Sequence, residues 1–192
     1  MALSERFCDA LVLAARLHAN QRRKLSGEPY VAHLLRVAGI VLEHVADEDE
    51  AVAALLHDAV EDQGGAATGR LIGERFGPRV AEIVHGCSDT DQTPKPPWRE
   101  RKEAHLAHLR EASASVRLIS AADKLDNVRS ILAAYRVMGE GIWERFRGGR
   151  DGTLWYFRSV AETLKQAGAN PLVDELARAV RELARAIADA RV

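Results

Sequence analysis

The chain has 192 residues, enough for one substantial hydrophobic core, and is 47% hydrophobic with only 5% aromatic side chains. Richness in Ala, Leu, Arg and Glu with few β-branched runs points to an all-α protein. The 27 basic and 28 acidic residues nearly cancel, which excludes a general nucleic-acid-binding surface and confines any anion recognition to a local cluster.

Cys8 and Cys87 stand alone and form neither a disulfide framework nor a zinc knuckle, which fits a reduced cytoplasmic setting. Glu5, Arg6, Asp9 and Arg16 interrupt the first apolar run, so it does not read as a signal peptide. No window approaches the roughly 18–20 apolar residues of a membrane span. The expectation is a soluble cytoplasmic protein.

Ser4 is placed to cap a first helix that runs to about Ala19, with Phe7, Leu11, Ala14, Ala15 and His18 on one face. The segment NQRRKLSGEPY at 20–30 is a loop carrying Arg22, Arg23 and Lys24, broken by Ser-Gly and Glu-Pro. A basic triplet is usually a solvated loop, but this one directly precedes a helix of about Tyr30–Val45 that holds His33 among core-spaced aliphatics. A helix over Asp49–Asp62 follows, ending in ALLHDAVED. At helical spacing its His57 lies one turn before Glu61, and Asp58 one turn before Asp62. Gln63-Gly64-Gly65 stops this helix. Thr68 fits the N-cap of a short helix over Gly69–Phe76, and Gly77-Pro78 starts another over Arg79–Cys87.

DTDQTPKPPW at 89–98 is a proline-rich surface loop. Trp98–Glu111 is a polar-faced helix with His105 and His108 on its surface. Val116–Met138 is the longest apolar helix, and Asp123 falls within its stripe, with Asn127 one turn later. Charged groups are seldom buried without a partner, so Asp123 calls for a metal, an arginine or a cap. A short helix over Ile142–Phe146 precedes one that Asp151 can cap. Asn170-Pro171 fits N-cap and N1 of the last helix, Leu172–Ala190. Neither an internal repeat nor a domain boundary is evident.

His33, His57, Asp58 and Asp123 supply two imidazoles and two carboxylates from three helices. This mixed set suits one divalent ion such as manganese, iron or zinc, with positions open for water and substrate. Taken singly, each is more simply a packed or capped polar residue; together with the adjacent His57-Asp58 pair they make a metal site. Glu61 and Asp62 fit a solvated helix end poorly, because acids oppose the macrodipole there. Beside a metal they can orient or deprotonate water and protonate a leaving group. Arg23 and Lys24 would meet an anionic substrate.

These residues resemble the H…HD…D pattern of the HD phosphohydrolase superfamily, and their context is closer still to the hydrolase domain of RelA/SpoT-type alarmone enzymes. QRRKLSGEPYVAH resembles that family's basic loop and first metal histidine, and AALLHDAVED its His-Asp motif with the Glu-Asp pair. FGPRVAEIVHGCSD resembles the segment that follows, and SAADKLDNVRS the final metal-aspartate motif. The similarity spans about residues 14–135. It implies a single HD-type helical bundle over 1–192, with the metal-site core at about 14–135 and a helical extension at about 139–192.

The implied activity is manganese-dependent removal of the 3′-pyrophosphate from a nucleotide such as ppGpp, pppGpp or ppApp. His33, His57, Asp58 and Asp123 would hold Mn2+, and Glu61 and Asp62 would be the catalytic acids. Arg23 would stack on the base, and Lys24, Asn127 and, more loosely matched, Tyr156 would contact the nucleotide. The partner is then a small-molecule nucleotide, with no nucleic acid or membrane, and a homo-oligomer is left open. Leu34 replaces the family's usual Pro, Leu25 resembles an insertion, Ser88-Asp89 stands in place of Thr-Lys, and Asp126 replaces a His. These departures spare every ligand and acid and leave the base and phosphate number open. The competing readings are another HD phosphohydrolase, such as a 5′-nucleotidase releasing orthophosphate, and a nucleotide sensor without turnover.

Overall fold

The computed structural model describes residues 2–44, 47–89, 94–168 and 170–190. Among these residues the only extended pairing is an isolated antiparallel bridge between Arg22 and Pro29, and the rest is helix and loop. None of the described helices is long and apolar enough to cross a membrane. The chain divides into two compact units, one comprising residues 1–23, 28–96 and 112–120, the other 24–27, 97–111 and 121–192.

The first unit is built round a short helix that is apolar on every side. Its helices are α1 (Glu5–Leu17), α2 (Val31–Leu42), α3 (Glu48–Leu56), α4 (Ala59–Asp62), α5 (Gly65–Phe76) and α6 (Pro78–Cys87). Ala51, Val52, Ala53, Ala54, Leu55 and Leu56 of α3 are all fully buried, with α1, α2 and α6 packed around them. A helix that is hydrophobic all round belongs inside, and this one carries the residues that follow it to the middle of the unit. Asp47 starts it: its Oδ1 accepts the Glu50 N–H at 3.2 Å, while Arg79 Nη2 lies 2.8 Å from Oδ2.

Desolvation pushes the Asp47 carboxyl up, but the hydrogen bonds from Arg79 and from the Glu50 N–H outweigh it and hold the pKa below the ordinary aspartate value. With the folded pKa below the unfolded one, the stabilisation is present above the unfolded value and is lost as pH falls through the folded one. Asp47→Ala is therefore expected to cost about 1 kcal/mol at neutral pH, the usual worth of an N-cap. Denaturant titration of both proteins should show this gap closing below about pH 4; a gap that persists unchanged in acid would contradict the capping role.

Two departures from the expected boundaries bear on the site, while Asp151, expected as a cap, lies inside the helix Gly149–Ala167. The helix expected over Asp49–Asp62 is broken: His57 and Asp58 form a turn between α3 and α4, and Asp58 has φ −95° and ψ −3°. The spacing of Leu55, Leu56 and Val60 is blind to a two-residue interruption. The next helix begins at Gly65, so Thr68 lies inside it, and its hydroxyl donates to the Gln63 carbonyl. Gly64 has φ +112°, and a Cβ there would stand 2.7 Å from Thr68 Oγ1, so the turn requires glycine.

In the second unit, α7 (Trp98–Glu111) packs on α9 (Gly149–Ala167), which also packs on α10 (Pro171–Asp189) and on a 3₁₀ segment, Gly139–Arg145. Asn170 caps α10 as expected, accepting the Leu172 N–H at 2.9 Å. Trp98 lies so close to the start of α9 that a Cβ on Gly148 would come within 2.6 Å of its ring. The long helix α8 (Ala114–Met138) agrees with expectation to within two residues at its start. His105, expected on the surface of α7, is 4% exposed because it packs against the ring of Tyr156 on α9.

Candidate active site

The break between α3 and α4 is where the chemistry collects. His57, in that turn, has its Nδ1 2.8 Å from the Ala54 carbonyl oxygen. A carbonyl only accepts, so Nδ1 carries the proton in the neutral ring and the Nε2 lone pair is left for a ligand. Nε2 lies 3.2 Å from Asp58 Oδ2. His33, fully buried in the first turn of α2, brings its own Nε2 to 3.6 Å from the same oxygen. The two imidazoles meet edge to face with centroids 5.3 Å apart. One ligand atom from each of His33, His57 and Asp58 falls within 4.8 Å of the others.

Two imidazole nitrogens and a carboxylate oxygen are a donor set for a borderline divalent ion. Fixing the His57 tautomer through a backbone carbonyl is the usual way of orienting a metal-binding imidazole. The residues therefore fit a divalent metal.

The two acids of α4 take different partners. Glu61 is bound at both oxygens, with the Asp89 N–H donating to Oε2 at 3.1 Å and Lys95 Nζ to Oε1 at 2.9 Å. Asp62 is accessible to solvent, and Gln21 Nε2 donates to its Oδ2 at 2.7 Å. Crowding by protein atoms raises the Asp62 pKa, the nearby Asp58 charge adds to this, and the Gln21 hydrogen bond opposes it. An aspartate poised in this way is suited to exchanging protons.

The basic loop closes as a hairpin, with the Arg23 N–H on the Glu28 carbonyl at 2.9 Å and the Tyr30 N–H on the Gln21 carbonyl at 3.0 Å. The Arg23 guanidinium faces the Tyr30 ring at 5.7 Å. Lys24 belongs to the second unit, where its carbonyl accepts from Arg145 Nη1 at 2.6 Å.

The other residues expected at the site also lie in the second unit. Asp123 is 6% exposed and accepts from Asn127 Nδ2 at 2.5 Å and from Lys124. The buried aspartate expected to require a partner thus has an amide and an ammonium. Tyr156 is 5% exposed in an aromatic cluster with Trp98, Trp155 and Phe157, and Lys102 Nζ lies 4.7 Å from its ring centre.

Four residues near the site carried no functional signal in the sequence. Tyr30 Oη donates to Asp58 Oδ2 at 2.6 Å, and its ring stacks on His18 with centroids 5.2 Å apart and planes 12° apart. His18 and Gln21 connect to Asp62, and Lys95 to Glu61. Periodicity assigned His18 to the core, and Gln21 and Lys95 stand in loops where periodicity says nothing. The proline-rich segment was expected as a surface loop. Lys95 and Asp89 do reach Glu61, while positions 90–93 lie outside the described residues.

An all-helical chain with a His…His-Asp cluster is the pattern of an HD-type protein. A family model described as HD domain matches residues 10–154, and the chain belongs to that family. It is 35% identical over 170 residues to the Drosophila melanogaster guanosine-3′,5′-bis(diphosphate) 3′-pyrophosphohydrolase MESH1, covering 87% of this chain and 89% of that protein. It is 37% identical over 133 residues to the bifunctional (p)ppGpp synthase/hydrolase SpoT of Escherichia coli strain K12, of whose length it spans 18%. The solved structure of a metazoan ortholog of SpoT that hydrolyzes ppGpp superposes with a TM-score of 0.79 at 31% identity, over 97% of this chain and 99% of that one. The crystal structure of lmo0812 from Listeria monocytogenes EGD-e superposes with a TM-score of 0.67 at 32% identity, over 82% and 99%.

Proposed function

We propose that the protein is an alarmone 3′-pyrophosphohydrolase, a single HD hydrolase domain that adds water across the 3′-ester of ppGpp, pppGpp or ppApp and releases pyrophosphate. The observation that carries this reading is the intact His33–His57–Asp58 cluster, with Glu61 and Asp62 directly after it, in a chain related over most of its length to a protein of that activity.

Manganese is the proposed metal, held by His33, His57 and Asp58 with Asp123 as the further carboxylate. When bound, such an ion makes water more acidic and polarises a phosphoryl oxygen. The protein's own acids divide the proton work. Glu61, held in place by Lys95 and the Asp89 N–H, orients the attacking water. Asp62, with its raised pKa, takes up a proton and returns it to the 3′-oxygen as the ester bond breaks. The overall reaction consumes one water and yields the nucleoside 5′-polyphosphate and pyrophosphate. Arg23 is proposed to stack on the base, where a planar guanidinium serves better than an ammonium, and Lys24, Asn127 and Tyr156 to contact the nucleotide.

Incubating the manganese-loaded protein with ppGpp, pppGpp, ppApp and 5′-nucleotides, and identifying each product, tests this reading. The expected result is pyrophosphate from at least one 3′-pyrophosphorylated nucleotide and none from the 5′-nucleotides. Orthophosphate from 5′-nucleotides would favour a nucleotidase, and tight binding without turnover across several metals would favour a sensor.

A further inference from the structure

The hydrogen bonds behind Asp62 have a direction that can be worked out atom by atom. The Gln21 side chain has one oxygen, which only accepts, and one NH2, which only donates. Its Oε1 lies 2.7 Å from His18 Nδ1 and 2.5 Å from Gln63 Nε2. Both neighbours must be donors, so His18 carries its proton on Nδ1. His18 is 2% exposed, and burial holds its pKa below the ordinary value against the opposing effects of Gln21 and Asp58, which keeps the ring neutral in this tautomer. Among the described residues its Nε2 is buried without a hydrogen-bond partner, and Nδ1 makes the ring's hydrogen bond. The stacked Tyr30 ring restricts the imidazole's rotation.

With Oε1 occupied by two donors, the amide cannot flip without setting NH2 against N–H. Gln21 Nε2 is thereby aimed at Asp62 Oδ2, at 2.7 Å. A donor fixed on one carboxylate oxygen leaves the other, Oδ1, to exchange the proton and sets the plane in which it does so. Near-attack geometry is sensitive to misplacement on the scale of an ångström, and Asp62 is an exposed carboxylate at the end of α4, where this donor fixes one of its oxygens.

We infer that Gln21 is a positioning residue for the reaction, acting through Asp62, and that His18 and Gln63 fix its amide orientation. This rests on the pyrophosphohydrolase reading above, so wild-type turnover of ppGpp, pppGpp and ppApp is measured first, and its absence with all three counts against that reading; the nucleotide that is turned over serves as substrate below. With wild-type turnover in hand, Gln21→Met removes both polar atoms at similar volume. It is expected to lower kcat roughly 10–30-fold, with KM within about twofold and manganese content unchanged.

In an Asp62→Asn background, the same Gln21→Met change is expected to alter kcat by less than about twofold, because the group through which it acts has already been disabled. His18→Phe keeps the stack on Tyr30, removes the Nδ1 donor and is expected to lower kcat about 3–10-fold without changing KM. It carries the test if Gln21→Met fails to fold. A near-normal kcat in Gln21→Met, or an equal loss in both backgrounds, overturns the inference. So does a near-normal kcat in folded His18→Phe where Gln21→Met cannot be measured.

Discussion

Glu61→Gln is expected to lower kcat by a factor on the order of 10²–10⁴, the usual contribution of a positioned general acid or base, while bound manganese stays at the wild-type level. The substitution keeps the side chain's length and removes its charge. In the wild type both Glu61 oxygens accept, one from Lys95 Nζ and one from the Asp89 N–H. A glutamine can satisfy one of these donors and must turn its NH2 towards the other. The effect therefore combines a lost charge at the reacting water with a loosened connection to Asp89 and Lys95. Kinetics with metal analysis of the same samples checks it. A rate near that of wild type would remove Glu61 from the mechanism.

Asp58→Asn is expected to have the larger effect on the metal itself. Asp58 Oδ2 lies close to both imidazoles, at 3.2 Å from His57 Nε2 and 3.6 Å from His33 Nε2, and it also accepts from Tyr30 Oη at 2.6 Å. Asparagine fits the same space, so the fold is retained, but the cluster then offers three neutral donors to a doubly charged cation. Manganese affinity is expected to fall at least tenfold by calorimetry with the metal alone. Turnover is expected to fall on the order of 10³-fold or more, equivalent to roughly 4 kcal/mol of transition-state stabilisation. His57→Ala should do the same to turnover, but it vacates a site where the side chain is 2% exposed, so its melting temperature must be read alongside. Unchanged manganese affinity in Asp58→Asn would mean that the His33–His57–Asp58 cluster is not the metal site.

Residue type and order made much of this legible from sequence. An adjacent His-Asp followed by Glu-Asp, with a histidine before it and a basic loop before that, marks a site whatever the exact path of the backbone. His33, His57 and Asp58 are indeed assembled within one unit. Helices with clear end signals were legible too: Ser4 and Asn170 both cap where expected. Two kinds of feature were not. The first is a local break whose cause is a tertiary site. The interruption at His57-Asp58 lies inside an unbroken apolar pattern, and what it accomplishes shows only where His33 of α2 meets Asp58. The second is any contact made by loop residues distant in the chain. Gln21 meets Asp62 across 41 residues, Tyr30 meets Asp58 across 28 and Lys95 meets Glu61 across 34. Neither the helical nor the strand period bears on such pairs. His105 was misplaced for a related reason: its surroundings on α7 are polar in sequence, yet an aromatic face of α9 covers it.

The reading turns on which bond is cut. The most direct measurement follows ppGpp, pppGpp and ppApp, each with the manganese-loaded wild-type protein, over time, quantifying the nucleoside 5′-polyphosphate, pyrophosphate and orthophosphate together. The expected result is nucleoside 5′-polyphosphate and pyrophosphate rising in equal amounts as at least one of the three disappears, with no orthophosphate. Orthophosphate as the primary product, or all three intact in the presence of bound manganese, would contradict it.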